Sequence, residues 1–224
     1  MTSTKTLMYW KPNICKLHKP CIRNIIFDLG NTLVYFDFSY FYNGIAEREK
    51  KLSGLKFKKY IYDNKLDVKL MTGRMSHREF FRKVKKKFDL KIGYGDFMFF
   101  YADIFWANQN MKRFLEKISR IKKYKLFLLS NTDSVHITFI DNNFPFVRLL
   151  KKRVLSYKVN MIKPHKKLFK YTLEKFHLKP EETVLVDDMK DNIISAQALG
   201  IKTIHYNLHK KFTSEFSRLV KGIS

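Results

Sequence analysis

Four short stretches of this chain end in residues able to do chemistry. The apolar run Asn24-Ile25-Ile26-Phe27 stops at Asp28, and the turn residues Gly30-Asn31 follow. A second run, Lys125 to Leu129, ends in Ser130-Asn131, and a third, Thr183 to Val186, ends in the adjacent carboxylates Asp187-Asp188. Between them lies Lys163-Pro164, where the proline stiffens the loop that presents the lysine. A carboxylate can attack or bind a metal, a lysine offsets negative charge, and a serine hydroxyl donates hydrogen bonds. Two carboxylates side by side have little reason to share a strand end unless a cation neutralises them, and Mg²⁺, which prefers hard oxygen ligands, suits them.

These residues can act together only if the strands that carry them run parallel. Ligands of open α/β sheets gather at the carboxyl ends of the strands, which is where all three runs place their polar residues. After Met111 the chain alternates accordingly: helix Met111 to Ile121, strand Lys125 to Leu129, helix His136 to Asp141, an extended piece at Val154 to Tyr157, helix Lys166 to Phe176, strand Thr183 to Val186, helix Asn192 to Leu199 and strand Lys202 to His205. This rhythm predicts an α/β fold with a doubly wound parallel sheet. Residues 38–110 instead read as helical, with an amphipathic stretch from Arg78 to Phe88 and a Ser76…Glu79 capping box before it. The expected organisation is a basic N-terminal extension over 1–23, an α/β core over 24–37 and 111–224, and a helical insert over 38–110 after the first strand. The aromatic run from Phe97 to Trp106 reads as packing between insert and core rather than as a platform for substrate.

Runs equivalent to Phe27-Asp28-Leu29-Gly30-Asn31-Thr32-Leu33, Leu128-Leu129-Ser130-Asn131, Ile162-Lys163-Pro164 and Val186-Asp187-Asp188 occur in one order in a known group. With Asn192 and Ala196-Gln197-Ala198-Leu199-Gly200, this chain resembles the haloacid-dehalogenase-like hydrolase superfamily from roughly Asn24 to Tyr206. It is most similar to the branch whose first motif reads Asp-Leu-Gly-Asn, which includes phosphatases acting on sugar phosphates such as glucose 1-phosphate. The resemblance implies a Rossmann-like core with the helical insert as its cap, and Mg²⁺-dependent hydrolysis of a small phosphate monoester. Asp28 would then be the nucleophile, forming an aspartyl-phosphate that splits one slow displacement into two easier steps. Asp28, Asp188 and the Gly30 carbonyl would hold Mg²⁺, with Asp187 acting through water. Lys163 would offset the charge between nucleophile and phosphoryl group, and Ser130 with the amide of Asn131 would bind phosphoryl oxygens. Asn192 either orients a metal ligand or caps a helix. His136 and His165 receive no role.

One departure matters. Most phosphatases of this superfamily carry a second aspartate two residues after the nucleophile, where this chain has Gly30. A glycine gives no general acid or base help, which is typically worth about 10²- to 10⁴-fold in rate. Three readings follow: a phosphatase whose leaving group needs less protonation or borrows a group from the cap, a metal-free 2-haloacid dehalogenase whose halide leaves without a proton, and a binding or regulatory protein without catalysis.

Charge and composition restrict the setting. The net charge of +25 is mostly lysine scattered along the chain, a pattern of solvated surface positions. Lys83 to Lys87 and Lys151 to Arg153 are candidate anion patches, but no nucleic-acid module signature accompanies them, so no nucleic-acid partner is expected. Two cysteines, Cys15 and Cys21, and no run long enough for a signal peptide or membrane span point to a soluble cytoplasmic protein. The oligomeric state and the cap residues that touch substrate are open, with Lys65 and Arg74 candidates on charge alone.

Overall fold

The computed structural model describes residues 21–49 and 52–221. The N-terminal extension up to residue 20, including Cys15, lies outside them. The chain begins with β1 (Asn24–Phe27) and β2 (Val34–Phe36), then enters five helices, α1 (Ser39–Arg48), α2 (Gly54–Asp63), α3 (Leu66–Met71), α4 (His77–Phe88) and α5 (Tyr94–Ala102). It returns through β3 (Phe105–Ala107) and continues as α6 (Gln109–Ile118), β4 (Lys125–Ser130), α7 (Ser134–Asn143), β5 (Lys152–Leu155), the short α8 (Ser156–Val159), α9 (Lys166–Phe176), β6 (Thr183–Asp187), α10 (Lys190–Gln197), β7 (Lys202–His205) and α11 (His209–Lys221).

The five core strands form one parallel sheet in the order β5-β4-β1-β6-β7. β1 is central, and the ends of β4 and β6 flank Asp28 on either side. Alternation along the strands sends Ile25, Phe27, Leu128 and Val186 into one buried cluster and Ile26, Phe127, Leu129 and Leu185 into the other. Both faces are therefore covered by helices, as a parallel sheet requires. Residues just ahead of β1 already belong to this core, since Ile22 is buried in it and the backbone of Arg23 bonds to Glu182 and Lys125.

The helical insert builds a core of its own, centred on Phe41, Phe57, Phe80 and Phe97. Edge-on contacts between these rings, such as Phe41 to Phe97 at 5.3 Å, join them, and aliphatic side chains including Ile45, Ile61, Leu70 and Val84 complete the cluster. α4 starts where the capping box predicts, with the Glu79 N–H donating to Ser76 Oγ at 3.2 Å. β2 and β3, three residues each, are strands that the sequence reading does not anticipate. They pair antiparallel into a ribbon at the junction of cap and core. Phe105 on this ribbon packs against both hydrophobic clusters, whereas Phe99 and Trp106 of the same aromatic run are exposed. α11 is a second unanticipated element, whose Phe212 and Phe216 close one face of the core.

Candidate active site

Asp28 follows the last residue of the central strand, and its N–H bonds to the Val186 carbonyl at 2.9 Å, tying it to the end of β6. Lys163, only 4% exposed, sits between two carboxylates: its Nζ donates to Asp28 Oδ1 at 2.6 Å and to Asp187 Oδ2 at 2.7 Å. The side chain of Asn131 fixes the lysine's backbone from both sides, donating to the Lys163 carbonyl at 2.9 Å and accepting from its N–H at 2.8 Å. The side chain of Asn131 thus holds the loop that carries Lys163, a role the sequence does not suggest, and leaves its backbone amide at the end of β4.

Asp187 is fully buried. Its Oδ1 accepts from Asn192 Nδ2 at 2.8 Å and from the Met189 N–H at 2.9 Å, so both of its oxygens have partners within the protein. Asn192 therefore orients this carboxylate. Asp188 is half-buried and differently held: the Asn31 side chain bonds its carboxylate, and His205 Nε2 lies 2.8 Å from its carbonyl. Asn31 takes a left-handed conformation, φ 52°, which asparagine tolerates better than most residues. No role for Asn31 is visible in the sequence alone.

Oxygens of Asp28, Asp187 and Asp188 lie within 4.8 Å of one another. Three carboxylates face one ammonium, which leaves an excess of two negative charges when all are ionised. The electrostatics reflect this. Burial pushes the Asp28 carboxyl up to about 7, with Asp187 and Asp188 adding to the rise against the pull of Lys163. Burial and the neighbouring Asp187 also raise Asp188. Lys163 is raised because its two carboxylates outweigh burial. Such a set fits a divalent cation in charge and in ligand type, since every donor is a hard oxygen.

Ser130 ends β4 and is buried, with its neighbour Thr132 clamped to Ser156 by bonds of 2.9 and 3.0 Å. Three residues on, Asp133 caps α7 by accepting from the Val135 and His136 N–H groups. The same carboxylate reaches across to the cap: Tyr101 Oη donates to it at 2.7 Å and His77 Nε2 lies 2.9 Å away. His136 completes the group, with Nδ1 2.9 Å from Asp133 and Nε2 2.9 Å from the Tyr101 carbonyl, its ring stacked on that of Tyr101 at 4.2 Å. His136 was left without a role; it is buried and helps to latch cap to core. Burial alone would raise the Asp133 carboxyl, yet the two histidines hold it well below the ordinary carboxylate range.

The candidate anion patches do not converge on the site. Arg153 is committed to Asp141 at 2.7 Å and to main-chain carbonyls. Lys65 and Arg74 are exposed. Among the described residues, no helix is long and apolar enough to cross a membrane.

Comparison with known proteins agrees with this geometry. The chain is 26% identical over 194 residues to the D-ribitol-5-phosphate phosphatase of Bacteroides thetaiotaomicron, covering 81% of this chain and 90% of that one. It superimposes with TM-score 0.68 at 25% identity on a haloacid-dehalogenase family enzyme of the same organism crystallised with magnesium and inorganic phosphate, covering 83% and 94% of the two chains. A 2-haloacid dehalogenase from Pseudomonas syringae shares the fold at 17% identity and TM-score 0.59, over 83% and 86% of the chains. The family model of haloacid dehalogenase-like hydrolases matches residues 25–206. The chain belongs to the haloacid dehalogenase-like hydrolases.

Proposed function

We propose that the protein is a cytoplasmic Mg²⁺-dependent phosphatase that hydrolyses a small phosphate monoester through an aspartyl-phosphate on Asp28. The observation that carries this reading is the set of three carboxylates around one buried lysine at the end of the central strands. Its excess negative charge asks for a divalent cation, and a metal-free dehalogenase has no use for that excess. The phosphatase relative and the magnesium- and phosphate-bound neighbour support the same choice.

Asp28, Asp188 and the Gly30 carbonyl would hold Mg²⁺, which when bound supplies positive charge beside the phosphoryl oxygens. Asp187, with both oxygens engaged by the protein, would act on the ion only through water. Lys163 fixes the rotation of the Asp28 carboxylate through Oδ1. A carboxylate oxygen of Asp28 attacks phosphorus, the P–O ester bond breaks, and the departing alkoxide takes a proton from water. Ser130 Oγ and the Asn131 N–H donate to the phosphoryl oxygens as charge shifts onto them. The hydroxide left by that proton transfer then attacks the phosphorus, the bond from phosphorus to Asp28 breaks, and the Asp28 carboxylate is restored as inorganic phosphate is released. The cap, latched through Asp133, covers the site and keeps other water out.

Phosphate release from a panel of phosphorylated metabolites, with and without Mg²⁺, tests this for wild type and Asp28→Asn. Release that requires Mg²⁺ and disappears in the variant is expected. Gly30 favours one other reading, because a halide needs no proton to leave: turnover of a 2-haloacid without metal would replace the phosphatase. No turnover of either class would point to a binding role.

A further inference from the structure

Between cap and core, alongside the catalytic set, lies a cavity of about 110 Å³. Gly30, Ser130 and Asn131 form part of its wall, so it opens onto the place where the phosphoryl group would sit. Its remaining wall is mostly aromatic, including Phe36, Phe38 and Phe105, and the cap contributes Tyr42, Tyr62 and Asp67 to it. Not one lysine or arginine lines it, although these residues make up 45 of the 224 in the chain.

The polar groups of this cavity fall into two sets. Asp133, His136 and Tyr101 are bonded to one another and have little left to offer a ligand. Asp67 is different. It stands in the first turn of α3, half-buried, with the Val68 N–H as a backbone partner and burial raising its carboxyl above the ordinary range. Tyr42 and Tyr62 hydrogen-bond each other beside it. A hydroxyl group entering here finds a carboxylate acceptor and phenol oxygens. A second anionic group would find a carboxylate with no cation to offset either charge, and desolvating it there would be costly.

We propose that this cavity receives the organic part of the substrate, and that this part is small, uncharged and hydroxylated, with Asp67 accepting hydrogen bonds from its hydroxyls. The substrate class is a polyol or sugar whose phosphate is its only anionic group. This rests on the phosphatase reading and narrows it. Esters that carry a carboxylate or a second phosphate near the first are excluded by the same wall.

The test compares kcat/KM of the full chain with Mg²⁺ on p-nitrophenyl phosphate, a five-carbon polyol monophosphate, phosphoglycolate and a sugar bisphosphate, for wild type, Asp67→Asn and Asp67→Lys. Wild type should prefer the polyol ester to both dianionic-type competitors by at least about tenfold, the scale of one hydrogen bond to a charged group. Asp67→Asn should lower the ratio of polyol ester to p-nitrophenyl phosphate, chiefly through KM. Asp67→Lys should narrow or reverse the preference against phosphoglycolate. With Mg²⁺-dependent release from p-nitrophenyl phosphate intact, equal use of phosphoglycolate or the bisphosphate by wild type overturns the assignment of the cavity, as does an unchanged preference in both variants. No Mg²⁺-dependent release from any ester overturns the phosphatase reading and this inference together.

Discussion

Restoring the absent carboxylate by Gly30→Asp should fail, and the structure says why. A Cβ on residue 30 would stand 2.6 Å from Cε1 and 3.2 Å from Cδ1 of Phe36. Backbone conformation is not the obstacle, since Gly30 does not lie in the left-handed region. The ring cannot simply turn away, because Phe38 and Phe105 pack on it with centroids at 5.7 and 6.0 Å. Overpacking of this kind costs about 1–3 kcal/mol. For a chain of this size each kcal/mol lowers Tm by about 2–4 °C, so the variant should melt about 2–12 °C below wild type. Its hydrolysis of alkyl phosphates should not improve. Adding Phe36→Ala removes the obstruction and gives the new carboxylate room beside the leaving oxygen. Against the Phe36→Ala single variant, the double variant should then hydrolyse an alkyl phosphate faster by about 10²-fold, the low end of general acid–base assistance. With p-nitrophenyl phosphate, whose leaving group departs without a proton, the gain should be much smaller. Steady-state kinetics on both esters and thermal melts of the four proteins decide the matter. A Gly30→Asp protein that keeps its Tm and gains on alkyl phosphates would refute the steric argument. A double variant with no selective gain would show that protonation of the leaving group does not limit this enzyme.

Two further outcomes follow from the buried charges. Lys163→Met leaves Asp28 and Asp187 facing each other without their shared ammonium, and loss of one partner of a buried pair costs about 3–5 kcal/mol. Thermal melts should show a large drop without metal and a larger Mg²⁺-induced rise than wild type; equal melts with and without Mg²⁺ would contradict the charge count. Asp133 has a folded-state carboxyl well below its unfolded value, so its contribution is present above the ordinary carboxylate pKa of about 3.9 and is lost as pH falls through the folded value. Asp133→Asn should therefore lose stability in urea at pH 7, and the gap to wild type should close in strong acid; a gap independent of pH would show that the latch is not held by charge.

Much of the candidate site was legible because each member ends an apolar run or follows one. Asp28, Ser130, Asp187 and Asp188 sit where β1, β4 and β6 stop, and hydrophobic patterning marks those stops without any knowledge of pairing. The latch was not legible, for a physical reason. Asp133 meets Tyr101 and His77 across 32 and 56 residues of chain, and a helix-capping aspartate looks the same in sequence whether or not it also reaches a second layer. Tyr101 lay hidden in a run of aromatics that reads as packing, and β2 and β3 are too short for alternation to register. The spacing of Asp133 and His136, three apart on one helix, was the available signal, since residues at that separation face one another.

Surface charge and site charge have opposite signs in this protein, and the difference divides the work between them. The net charge of +25 sits on lysines scattered along the chain, which makes an attractive field for any phosphate but one that salt screens over about 8 Å. Such a field raises the encounter rate of mono- and dianionic esters alike, and a bisphosphate most of all. Near the sheet edge the balance reverses, with three carboxylates to one lysine, and the adjoining cavity offers a further carboxylate and no cation. Attraction at long range therefore does not distinguish one phosphate ester from another, and under the proposed reading of the cavity selection comes from the short-range penalty on a second negative charge. A surface biased toward lysine is compatible with the proposed specificity because the one lysine of the site, Lys163, is already committed to Asp28 and Asp187 and the cavity beside it is lined by no other lysine or arginine.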